Sequence, residues 1–112
     1  METASKAFRV RMTVHEVLRQ AISAKRCVRI LTAGHWREIC PHALGIKDGH
    51  PKALVFQYEG DSVSGLAPGG QWRAFFISDI ERATIIDGPW HGGANFVAKA
   101  EACLDRIEYR VH

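Results

Sequence analysis

The apolar positions of this chain change period near residue 27. Before it, Val14, Val17, Leu18, Ala21 and Ile22 recur at the spacing of one helix face. Thr13 followed three residues later by Glu16 has the form of a capping box, so the pattern predicts a helix over 13–25. After it the period is two. "CVRIL" predicts a strand over 27–32, ended by the "TAGH" turn. "WREICPHAL" predicts a second strand over 36–44, and Pro41 marks its later half as an edge or a bulge. Asp48-Gly49 is a hairpin dipeptide, and a nearly all-apolar third strand follows over 52–58. "EGDSVSGLAPGG" reads as a loop, "QWRAFFI" as a fourth strand over 71–77 and "SDIE" as one tight turn. "RATIID" reads as a fifth strand over 82–87, stopped by Gly88-Pro89. Beyond that point two spacings compete. Phe96, Ala100, Cys103, Leu104 and Ile107 fit a short helix near 95–104, whereas Ile107, Tyr109 and Val111 fit a strand or an extended tail.

One helix followed by five short strands predicts an α+β, mainly β domain over 13–112, with a polar leader over 1–12. Five strands joined by tight turns can curl and close, which removes exposed edges. The expected architecture is a small SH3-like or Sm-like barrel with the N-terminal helix over one open end. The chain has 112 residues, enough for one core. With 46% hydrophobic and 24% charged residues, it has the composition of a folded domain rather than a disordered one.

Charge adds a bias without settling a partner. The net charge is +3, and Arg9, Arg11, Arg19, Lys25, Arg26, Arg29 and Arg37 make the first third basic. That bias suits an anionic partner, including nucleic acid, but no run is long enough to mark a dedicated patch. The three cysteines are widely and irregularly spaced, which is no disulfide framework. No apolar run approaches the length of a signal peptide's core or a membrane helix, so a cytoplasmic protein with reduced thiols and no membrane partner is expected.

The candidate chemistry lies in two arginines. Strand alternation puts Arg73 on the face of Phe75 and Ile77, and Arg37 on the face of Ile39. In the third strand, Leu54, Phe56 and Tyr58 share one face, and Val55 and Gln57 the other. Arginine is rarely buried unless paired. One reading is a shallow basic pocket at a barrel mouth that offers guanidinium forks to a phosphate or carboxylate. Tyr58, Trp36 or Trp72 would then give a flat surface to a base, and Ser62 a loop that closes over the ligand. The other reading is internal ion pairing with Glu38, Glu59, Asp61 or Asp79. Trp72 either faces outward or packs under a helix, and Trp90 is expected to plug a barrel edge. Cys40 and His42 form the one close Cys/His pair, too little for a zinc site and poorly oriented for nucleophile and base. A half-buried thiol and a surface imidazole are expected there, with no metal, no cofactor and no enzymatic activity.

The segments "AISAKRCVRI", "WREICPHALGIKDG", "ALVFQYEGDSVSG" and "QWRAFFISDIERATIIDG" together resemble a WYL-type domain over about residues 17–92. The resemblance rests on spacing, on "R-x-I-x-P" and on "W-R-x-F". The Trp-Tyr-Leu run that names the family is not present, and Leu31-Thr32 stand where many members end their first strand with Tyr. The resemblance implies an SH3-like barrel that senses ligands in bacterial transcription regulators and binds a nucleic acid or nucleotide-like ligand. Members usually carry a helix-turn-helix domain, for which this chain offers a single helix before the strands.

The function expected from these readings is a free-standing sensor or regulatory domain for an anionic ligand, a nucleotide or single-stranded nucleic acid. Arg37, Arg73, Tyr58, Gln57, Trp72 and Ser62 are its expected contacts. The alternative is a protein-interaction or homodimerisation module, without a small ligand, whose partner is a regulator protein or a second copy.

Overall fold

The structure, a computed structural model, describes residues 12–60 and 65–112. Helix α1 (Val14–Ala24) starts at the expected capping box: the Glu16 N–H donates to Thr13 Oγ1, and the Thr13 N–H donates to Glu16 Oε1. Lys25, in the left-handed region, ends it. Six strands follow: β1 (Cys27–Thr32), β2 (His35–Lys47), β3 (His50–Gly60), β4 (Gln71–Phe76), β5 (Ile80–Ile86) and β6 (Arg106–Arg110). A 3-10 turn (Ile77–Asp79) joins β4 to β5; it starts one residue before the expected "SDIE" turn, and Ile80 and Glu81, expected in that turn, open β5 instead. Helix α2 (Phe96–Cys103) precedes β6. The predicted third strand starts two residues earlier because the Asp48-Gly49 turn is a two-residue hairpin, with Lys47 pairing His50, and it runs on to Gly60 opposite Arg37.

All pairings are antiparallel, and the sheet runs β4-β3-β2-β1-β5 with β6 beside the later half of β2. Two expectations change. There are six strands rather than five, and the sheet is open: no pairing joins β4 to β5 among the described residues. The sixth strand is the tail that was expected to be extended after a short helix.

β2 explains how one strand serves several partners. Its first half pairs β1 and its second half pairs β6, and Pro41 lies at the changeover. A residue without an N–H is tolerated there because no strand lies beside it on that edge. Between Pro41 and Ala43 the β2–β3 register slips by one residue, so His42 sits in a bulge. The slip reverses the alternation. Ile39 and Leu44 pack on one face, and Ala43 on the other.

The sheet is covered on both faces. On the first, Val17, Leu18, Ala21 and Ile22 of α1 pack against Val28, Ile30, Ile39, Leu44, Ala53, Val55 and Ile80. Burying side chains such as Leu18 and Ile22 stabilises the fold by roughly 1.5–3 kcal/mol each. On the second face, Ala100 and Leu104 pack on Ala43 and Leu54, with Trp72 and Phe96 alongside.

Candidate ligand-binding site

Arg37 stands three residues into β2, on the face that α1 covers farther along. It is only 5% exposed. Its Nη1 donates to Gln57 Oε1 at 3.2 Å, and its guanidinium lies 5.1 Å from the centre of the Phe75 ring. Gln57, fully buried, is held by donating its amide to the Glu59 and Gly60 carbonyls at 3.3 and 3.5 Å. The guanidinium therefore has a polar brace on one strand and an aromatic floor on another, which fixes its plane.

Two open grooves meet at Arg37. One, of about 410 Å³, is lined by Thr32, Ala33, Arg37, Lys52, Phe75 and Asp79 among others. Among the described residues its charged lining is two cations to one carboxylate. The other, of about 350 Å³, is lined by Arg29, Trp36, Arg37, Glu38, Glu59 and Gly60. There Arg29 is paired with Glu38 at 3.2 Å, and Trp36 presents an indole that is 47% exposed. The first groove is the better seat for an anion, and the second carries a flat apolar surface beside it.

Five of the six residues expected to form one site are described, and they divide between the faces. Arg37, Gln57 and Arg73 share the first face: Gln57 pairs Ile39, and Arg73 pairs Val55. Arg73 Nη2 donates to the Gly65 carbonyl at 2.8 Å, which ties β4 to the segment before it. Tyr58 and Trp72 stand on the second face. Tyr58 stacks on His91 at 4.5 Å and donates to Glu38 Oε1 at 3.2 Å. Burial, with Cys27 and Glu38 beside it, pushes the Tyr58 hydroxyl well above the usual phenol range. Trp72 packs edge-on to Phe56 and His42, and its Nε1 donates to the Ala94 carbonyl at 2.7 Å. Trp72 thus lies under the 87–95 segment rather than facing outward. Ser62 lies outside the described residues.

Sequence reasoning missed Lys52, whose Nζ sits 4.8 Å over the Phe76 ring. Lys52 has the parity of Leu54 and Phe56, so period alone does not bring it to the face of Arg37.

His42 and Cys40 correct the picture of a surface imidazole beside a half-buried thiol. His42 is 2% exposed and Cys40 fully buried. The His42 ring stacks on Trp90 at 4.8 Å and meets Trp72 edge-on, and its Nδ1–H donates to the Cys40 carbonyl. Trp90 therefore caps the bulge. Burial holds His42 below the usual imidazole range, against the opposing pull of the Cys40 and Gly92 carbonyls.

A pH dependence follows. Below the ordinary value of 6.5 the unfolded chain takes up a proton that folded His42 resists. The contribution is complete above 6.5 and is lost as pH falls toward the folded-state value, with a slope of at most about 1.4 kcal/mol per pH unit. Urea midpoints at pH 7.5 and 5.5 should differ less in His42→Phe than in the wild type. The same drop in both proteins would refute the assignment.

Comparison with protein-family models, curated proteins and solved structures found no match. Among the described residues, no helix is long and apolar enough to cross a membrane, and no three His, Cys, Asp or Glu side chains form a metal-binding group.

Proposed function

We propose that this protein binds a phosphate-bearing ligand of nucleotide size in the groove between Arg37 and Lys52, and serves as a sensor or regulatory domain. The carrying observation is a guanidinium, almost wholly buried in the sheet, that still lines both grooves and is braced by Gln57 and Phe75. A bound phosphate would meet Arg37 and Lys52, and a base would lie toward Trp36. The volume is in the range of small-ligand sites, roughly 300–1,000 Å³.

The WYL-type, SH3-like or Sm-like reading belongs to the same proposal. Its supports are a meander whose fifth strand returns to pair the first, and the contact of Arg37 with Phe75 two strands away, which requires a curled sheet. "R-x-I-x-P" puts Arg37, Ile39 and Pro41 on β2, where the arginine enters the groove.

Quenching of Trp36 by AMP, ATP and a single-stranded oligonucleotide at two salt concentrations tests the function. Charged hydrogen bonds contribute roughly 1.5–3 kcal/mol, so Arg37→Ala should weaken binding about 10- to 100-fold. Lys52→Glu, at a half-buried position, should weaken it at least tenfold with the fold retained. Oligonucleotide binding should fall steeply with salt. Absence of binding by the wild type, or affinity unchanged in Lys52→Glu, would overturn the reading. Self-association insensitive to salt would favour the interaction-module alternative.

A further inference from the structure

Two of the three cysteines, 13 residues apart in sequence, meet across β1 and β2. Val28 pairs Ile39, so Cys27 and Cys40 are the next pair in the antiparallel register. Their sulfurs are 3.6 Å apart, and both residues are almost completely buried. The cover is the 87–95 segment. The Cys27 thiol donates to the Pro89 carbonyl at 3.3 Å, and Cys40 Sγ accepts from the His91 N–H at 3.1 Å. Gly88 lets the segment lie this close: a Cβ there would fall 2.7 Å from Tyr58 Oη and 3.3 Å from Cys27 Sγ.

We propose that Cys27 and Cys40 form a reversible disulfide-modification site gated by the 87–95 segment, with a low-molecular-weight disulfide as oxidant. Directly opposed strand residues hold their Cβ atoms ~4.5–5.5 Å apart, and a disulfide needs ~3.5–4.5 Å, so a small approach of the strands closes the bond. Buried thiols are inert, and burial pushes Cys40 up to about 12. Lifting the cover removes that cause. The cover's first anchor is the exposed ion pair of Arg26 with Asp87 at 2.8 Å, a weak restraint.

The chemistry is a two-step exchange. One protein thiolate attacks a sulfur of the oxidant, whose S–S bond breaks and releases one thiol. The second protein thiolate attacks the mixed disulfide, forming the Cys27–Cys40 bond and releasing the second thiol. The protein loses two protons and two electrons, and the oxidant takes them up to become two thiols.

The test uses Cys103→Ser, which leaves only this pair, incubated folded with oxidised glutathione and then alkylated. Alkylatable thiols should fall from two to none, peptide mass mapping should link Cys27 to Cys40, and dithiothreitol should restore both. Adding Gly88→Ala, which displaces the cover, should speed the loss at least tenfold. Two thiols persisting, or a glutathione adduct that never resolves, would overturn the site. Equal rates with and without Gly88→Ala would overturn the gate.

Discussion

Replacing Gly45 with alanine will destabilise the protein by about 3 kcal/mol and free β6 from the sheet. A Cβ at this position would sit 2.1 Å from the Arg106 carbonyl oxygen and 3.1 Å from Leu104 Cδ1. The first obstacle is backbone, so no side-chain rotation relieves it. Overpacking of this kind costs typically 1–3 kcal/mol, and a contact this short with main chain belongs at the upper end. The strand has other anchors. The Asp105 N–H donates to the Ile46 carbonyl at 2.7 Å, and the Val111 N–H to the His42 carbonyl at 2.8 Å. Asp105 also accepts from Lys47 Nζ and the Asp48 N–H, which holds its carboxyl below the usual carboxylate range. These bonds flank the clash, and both ends must shift if Gly45 gains a methyl group. Amide exchange should show lost protection over 106–110 with β1 and β3 still protected, and the melting temperature should fall by more than about 10 °C. Unchanged protection of Tyr109 would disprove it.

That strand marks where the sequence stops being readable. β6 is mostly exposed and has no apolar run of its own. Its conformation is set by the free edge of β2 after Pro41, a partner sixty or more residues earlier, so local pattern leaves helix and strand in competition. Elements fixed by neighbours in sequence were legible. The capping box placed α1, the Asp48-Gly49 dipeptide placed the β2–β3 turn, and the bounds of β1 fall where the period of two begins and ends. The alternation of β3 also holds: Leu54 packs toward α2, and Val55 toward α1.

The candidate site was legible in the same measure. Parity put Arg37 with Ile39, Gln57 with Val55 and Arg73 with Phe75, each within its own strand, and only the sheet register brings the three onto one face. Gathering Tyr58 and Trp72 into that group ignored the same parity, which sends them to the opposite face. What covers that face is a coil segment with Trp90 and His91, and coil has no period to read. Pro41 marked an edge or a bulge in the later half of β2, and the slip falls right after it, but its effect on facing is hidden. One inserted residue reverses the face of everything after it, and only the pairing with β3 reveals the slip. Cys27 and Cys40 likewise become neighbours only once the β1–β2 register is known.

Gly60→Ala should destabilise the protein by about 2–4 kcal/mol and remove ligand binding at the Arg37 grooves together. Gly60 closes β3 opposite Arg37 and holds φ +103°, a conformation that L-residues with a side chain rarely adopt. A Cβ would also lie 2.5 Å from the Trp36 carbonyl oxygen and 2.7 Å from Arg37 Cα. Backbone strain and overpacking therefore act at one point. The only outlet is to separate the end of β3 from the start of β2. That movement takes the Gly60 carbonyl from Gln57 Nε2, loosens the amide that braces Arg37, and shifts the Trp36 wall of the smaller groove. A core variant such as Leu18→Ala, whose expected cost is of the same order at about 2–5 kcal/mol, is the proper control. Leu18 packs in the α1 core and lines neither groove, so it should lower the melting temperature while leaving nucleotide affinity intact at temperatures where the protein is folded. Gly60→Ala should lose both. If Gly60→Ala, still folded at low temperature, binds AMP as tightly as Leu18→Ala does, the groove at Arg37 is not where the ligand sits.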